Sequence, residues 1–100
     1  KKSTEIGHFI LPIAAIRGEG TSNDYMPPDV PALPSFKLHK FVSERIVERG
    51  LEYRTGVIYT TNRRVWEWDG EFKNSLRKRT VIGIDMETAT LFIVGHANSI

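Results

Sequence analysis

Cysteine is absent from this 100-residue sequence, so neither a disulfide framework nor a thiolate metal centre is available, and a reducing compartment such as the cytoplasm is the expected home. Long apolar runs are missing as well. The longest, Ala89 to Gly95, is far short of the roughly 20 residues needed to cross a bilayer, and the amino end carries no secretory pattern. No membrane partner is expected. An excess of one charge is also lacking, since fourteen Lys and Arg oppose twelve Asp and Glu for a net charge of +2. Arg63-Arg64 and Arg77-Lys78-Arg79 lift the isoelectric point to about 9.1. So mild an imbalance favours solvated faces over a nucleic-acid surface. His8, His39 and His96 are scattered without metal-ligand spacing, and no Ser or Thr stands in a nucleophile setting. Metal and covalent chemistry are therefore not expected, and nothing calls for a cofactor.

What is present is ordinary globular material. Hydrophobic residues make up 40% and charged residues 26%, which excludes general disorder. A chain of this length makes one small domain at most, with a modest core. Ile6 to Leu11 and Pro12 to Arg17 predict two extended segments, with Pro12 marking a break or an edge because it lacks a ladder donor. Gly18 to Pro34 has no periodicity and holds four of the five prolines, which predicts a long structureless connection. Ser35 caps a predicted helix whose apolar face is Leu38, Phe41, Val42 and Ile46, and Gly50 stops it. Tyr53 to Thr61 reads as a strand, followed by a loop at Asn62-Arg63-Arg64. A second helix starts at Asp69, puts Phe72 and Leu76 on one face and ends in Arg77-Lys78-Arg79, where cations suit the helix dipole. Val81 to Met86 predicts a buried strand, and Glu87 to Asn98 an apolar helix buried on most sides.

Strands alternating with helices indicate an α/β sheet, whose ligands gather at the carboxyl ends of the strands. Asp85-Met86-Glu87 falls at such an end, and Thr60 to Trp68 beside it. Asp85 alone reads as an N-cap, and Glu87 alone as a carboxylate favouring the helix dipole. The pair after a buried strand shifts the balance toward a ligand, because a carboxylate that accepts from two adjacent hydroxyls grips a ribose or other vicinal diol. Trp66 supplies a ring for stacking on a planar heterocycle, and Arg63 and Arg64 supply planar forks for phosphate oxygens. Arg17-Gly18-Glu19-Gly20-Thr21-Ser22 has the makings of an anion-binding loop, although it is no Walker sequence.

Four segments carry a resemblance: Ala14 to Ser22 with Tyr25-Met26-Pro27-Pro28; Pro31-Ala32-Leu33-Pro34; Tyr59-Thr60-Thr61-Asn62 with Trp66-Glu67; and Asp85-Met86-Glu87-Thr88-Ala89-Thr90-Leu91. Together they resemble the nucleoside phosphorylase superfamily, and within it most the branch that hydrolyses AMP to adenine and ribose 5-phosphate. The Met-Glu motif is shared across the superfamily; the Arg-Gly-Glu-Gly-Thr-Ser and Thr-Thr-Asn segments point to the hydrolytic branch. The resemblance implies a three-layer α/β/α phosphorylase-like sheet, here a partial domain of about four strands and three helices. Residues 1–100 would be the central part of the catalytic domain with no internal boundary. It implies that Glu87 binds the ribose hydroxyls, that Met86 packs against the sugar and that Val65 and Trp66 face the base. Arg64, then Arg63 or Arg17, would meet the phosphate. It implies a catalytic acid beyond Ile100, a homo-oligomeric parent enzyme, and no activity for these residues alone. The alternatives are a phosphorolytic relative, with phosphate replacing water, and a non-catalytic fragment serving packing or oligomer assembly.

Overall fold

A computed structural model of the chain describes residues 6–100. The first five, on which the reading of the amino end partly rests, lie outside the described residues. The described elements run β1 (Phe9–Gly18), a short 3-10 turn (Thr21–Asp24), α1 (Phe36–Glu48), β2 (Tyr53–Thr61), α2 (Gly70–Lys78), β3 (Gly83–Asp85) and α3 (Thr88–Ala97). The strands form one parallel sheet in the order β1-β2-β3.

Among the described residues the sheet has three strands where about four are expected, and Pro12 accounts for the difference. The two extended segments predicted on either side of it are one strand, and Pro12 shifts the register instead of ending the pairing. Pro12 lies opposite Gly56 and Ala14 opposite Val57, so Ile13 is the extra residue. A bulge is where a strand tolerates the missing proline N–H. Ile6 and Gly7 form a turn ahead of β1.

Helices cover both faces of the sheet. Ile58 packs in one cluster with Ala15, Ala32, Ala89 and Ile93, which puts α3 on the face of Ile58 and Thr60. Tyr59 points the other way, as strand alternation requires, and meets Phe72 of α2 edge-on at 5.5 Å. This is the expected α/β/α layering. Ser35 caps α1 by accepting from the Leu38 amide at 3.1 Å, and Asp69 caps α2 by accepting from Phe72 at 3.0 Å. Gly50, with φ +69°, ends α1, a conformation that favours glycine.

Two predicted burial patterns are narrower in the structure. Of the face expected on α1, Val42 and Ile46 turn inward, while Leu38 and Phe41 stay more than half exposed. Along α3, Ala89 and Ile93 are fully buried, but Leu91 is 67% exposed. Each helix leans on the sheet along one stripe, and no other described element covers its far side. The Gly18–Pro34 connection is also not structureless. It contains the 3-10 turn, and Ala32 bridges back to Ala15 with a 2.9 Å amide bond. No helix among the described residues is long and apolar enough to cross a membrane.

Candidate active site

Parallel pairing brings the carboxyl ends of the three strands level. Arg17, Thr60 and Asp85 stand in one row across β1, β2 and β3, and each strand end delivers polar groups to the start of α3.

Thr60, fully buried, donates to Asp85 Oδ1 at 2.7 Å and accepts from the Ala89 amide at 3.0 Å. Asp85 Oδ2 accepts from the Thr88 amide at 2.8 Å and from the Thr88 hydroxyl. Asp85 is therefore the cap of α3, with both oxygens engaged. A helix opens with amides that lack partners in its own ladder, and here two of them, Thr88 and Ala89, are satisfied by side chains from the ends of β3 and β2.

The end of β1 contributes a second carboxylate. Glu19 is 7% exposed and accepts from the Ser22 amide at 2.9 Å, the Ser22 hydroxyl at 2.7 Å and the Thr90 hydroxyl at 2.5 Å. Burial alone pushes its pKa up, but the bonds from Thr90 and Ser22 outweigh that and hold it below the ordinary value. The Arg17–Ser22 segment does bind a carboxylate, but its own. Arg17 fastens the same loop. Its Nε donates to Ser22 Oγ at 2.9 Å, and its terminal nitrogens donate to the carbonyls of Pro27 (2.5 Å), Val30 (2.6 Å) and Met26 (2.9 Å) and to Asn23 Oδ1 (3.1 Å). A guanidinium has five N–H donors, and the loop occupies all five.

Glu87 contrasts with both. It begins α3 with φ −130° and ψ −27° and has no side-chain capping bond. The residue is exposed, and among the described residues its carboxylate has no hydrogen-bond or ion-pair partner. Met86 beside it is 37% exposed. The two predicted ribose-binding residues thus stand open at the mouth of the sheet, next to the saturated Asp85.

The loop after β2 holds the other candidates. Trp66 is half-buried and packs against Phe72 at 6.1 Å, while its neighbour Val65 is 65% exposed. Arg63 pairs with Asp69 at 2.9 Å and lies over the Phe72 ring at 5.0 Å. The Asp69 carboxyl is held below its ordinary range by the Phe72 amide first and Arg63 second. Arg64 is exposed and unpaired among the described residues. The predicted residues therefore lie on three neighbouring strand ends, with Glu87 and Arg64 free among the described residues and Arg63 and Arg17 engaged. A concavity of about 570 Å³ is an open groove beside α1 lined by Leu38, Phe41 and Ile100, away from the strand ends. Among the described residues, no group of three or more His, Asp or Glu is placed to hold a metal.

Thr60, Ser22 and Thr90 are the residues that sequence reasoning missed. Hydroxyls at strand and helix ends carry no distinctive spacing. Only the oddity of Glu19 in an otherwise small-residue segment signals that something must satisfy it.

The Phosphorylase superfamily model matches residues 1–100. The fold superposes on AMP nucleosidase from Bacteroides thetaiotaomicron with TM-score 0.89 and 60% identity, over 94% of this chain and 39% of that one. Uridine phosphorylase from Vibrio fischeri matches with TM-score 0.78 and 32% identity, over 93% of this chain and 39% of that one. The Plasmodium knowlesi homolog of P. falciparum PNP has TM-score 0.78 at 17% identity, over 96% of this chain and 40% of that one, a likeness of fold alone. Curated proteins give no match. The chain spans about two fifths of the length of these structures. With its family model matched end to end and the strand ends arranged as described, the chain belongs to the phosphorylase superfamily.

Proposed function

We propose that the protein carrying these residues hydrolyses the N-glycosidic bond of AMP, giving adenine and ribose 5-phosphate. The observation that carries this reading is the unengaged Glu87 carboxylate at the convergence of the strand ends, beside two carboxylates whose oxygens are taken. Breaking the C1′–N9 bond leaves positive charge on the ribosyl ring. An anionic acceptor on the 2′- and 3′-hydroxyls favours that charge, and protonation of the departing purine lowers the barrier on the other side. Glu87 takes the first role. As the C1′–N9 bond breaks, its electron pair goes to the purine, which takes a proton from an acid in the remainder of the protein. Water adds its oxygen to C1′, and the proton it loses replaces the one the acid gave up. Met86 packs on the sugar, and Trp66 with Val65 covers the base. Arg64 meets the 5′-phosphate, since Arg63 is committed to Asp69 and Phe72 and Arg17 to its loop. The activity is assigned to the whole protein, a cytoplasmic homo-oligomer in this reading, and not to these 100 residues alone. The 60% identity to the AMP nucleosidase from Bacteroides thetaiotaomicron supports the choice of substrate.

The 32% identity to a uridine phosphorylase supports a second reading, in which phosphate replaces water. Product analysis on the full-length protein separates them. Ribose 5-phosphate and adenine formed from AMP without inorganic phosphate is the expected result. A sugar phosphorylated at C1, formed only when phosphate is supplied, would refute hydrolysis.

A further inference from the structure

We propose that Glu19 is a positioning residue for Glu87, latching the first turn of α3 to the end of β1 and so setting where the ribose-binding carboxylate stands. The inference rests on the assignment of Glu87 above and adds a residue to it.

The geometry is specific. Glu19 Oε2 accepts from Thr90 Oγ1 at 2.5 Å across 71 positions of sequence. Thr90 lies three residues after Glu87, a spacing that places both on one face of the helix. The grip from Thr60 and Asp85 acts on the helix backbone, at the Thr88 and Ala89 amides, and fixes where the helix begins. It acts close to the axis and controls rotation weakly. The Thr90 bond acts on a side chain away from the axis, where it controls rotation well. Apolar packing holds the buried stripe of α3 through Ala89 and Ile93, with Phe92 against the same cluster; the Thr90 bond adds a fixed distance at the first turn, next to Glu87.

The latch has a fixed footing. Ser22, fully buried, donates to Glu19 Oε1 and accepts from Arg17 Nε, and Arg17 is tied to three loop carbonyls. The chain of bonds therefore runs from the row of strand ends through Arg17, Ser22 and Glu19 to Thr90. A carboxylate buried to this degree is costly unless it is fully bonded, and an apolar contact would hold the loop against the helix without that cost. What a charge-assisted bond adds is a defined distance and direction.

The test is steady-state hydrolysis of AMP by the full-length protein. It uses Thr90→Val, which keeps the side-chain shape without the donor, and Thr90→Ser, which keeps the donor, each alone and combined with Glu87→Gln. Thr90→Val is expected to lower kcat about tenfold or more, as a misplaced catalytic group does, with KM moved less than about threefold. Thr90→Ser returns kcat to within about twofold, since its hydroxyl restores the bond. In the Glu87→Gln background, Thr90→Val costs less than about twofold more, because a residue acting through Glu87 has nothing left to position. Equal losses in both backgrounds, or full kcat in Thr90→Val, overturn the latch while leaving Glu87 its role. Full activity in Glu87→Gln overturns the underlying assignment and the latch with it. Where Thr90→Val does not fold, Glu19→Gln, which retains volume and loses one acceptor, is read by the same cycle.

Discussion

Replacing Thr60 by valine should destabilise the protein although valine is the more hydrophobic residue and has nearly the same shape. Thr60 is fully buried, and its hydroxyl is shared between Asp85 at 2.7 Å and the Ala89 amide at 3.0 Å. Valine leaves the Asp85 carboxylate short of one charge-assisted bond, at about 1.5 to 3 kcal/mol, and leaves a buried N–H unpaired, at about 1 to 3 kcal/mol. The added methyl returns about 0.8 kcal/mol. The net loss is about 2 to 5 kcal/mol, a large part of the roughly 5 to 15 kcal/mol that keeps a domain folded. Thr60→Ser keeps both bonds and gives up one methyl, for a loss of about 1 kcal/mol. Urea denaturation of the full-length protein measures both, with the slope expected to stay constant. The order wild type, then Thr60→Ser, then Thr60→Val is the expected result. A Thr60→Val variant within about 1 kcal/mol of wild type, or more stable than Thr60→Ser, would refute the claim that this hydroxyl joins β2, β3 and α3.

Three other perturbations have defined outcomes. A Cβ at Gly18 would overlap the Tyr59 ring, which is itself held against Phe72, so Gly18→Ala should lower stability by about 1 to 3 kcal/mol, with Tyr59→Leu restoring part of it in a melting experiment. Because the Glu19 pKa is depressed from 4.5 in the folded protein, its bonds stabilise the fold above that value and the contribution is lost as pH falls through the folded pKa. The gap in melting temperature between wild type and Glu19→Gln should therefore be widest near neutrality and close in acid; a gap constant from pH 7 to 3 would contradict it. Arg64→Ala should reduce the preference for AMP over adenosine by about tenfold or more, the worth of a charged hydrogen bond, and an unchanged preference in kcat/KM would remove Arg64 from the phosphate site.

Local signals carried most of the fold. The caps at Ser35 and Asp69, the stop at Gly50 and the strand from Tyr53 to Thr61 each follow from short-range chemistry that the sequence displays, and the structure has them in place. The single strand through Pro12 was not legible, because whether a missing N–H ends a strand or bulges it depends on the partner strand. Burial on α1 and α3 was overestimated at Phe41 and Leu91, since apolar spacing states what a helix can bury and not which neighbour covers it. At the site, the junction at Asp85-Met86-Glu87 was visible as two carboxylates, and the cap role weighed for Asp85 is the one it has. The network from Arg17 to Thr90 was invisible, because it joins residues 71 positions apart through side chains that are individually commonplace.

The most direct test of the central claim, that Glu87 grips the ribose hydroxyls, is the ratio of kcat/KM for AMP to that for 2′-deoxy-AMP, measured for the full-length protein and its Glu87→Gln variant. Loss of one charged hydrogen bond is worth about 1.5 to 3 kcal/mol, so the ratio should fall by about tenfold to a hundredfold in the variant, with the loss concentrated on AMP. A ratio that is the same in both proteins would contradict the assignment.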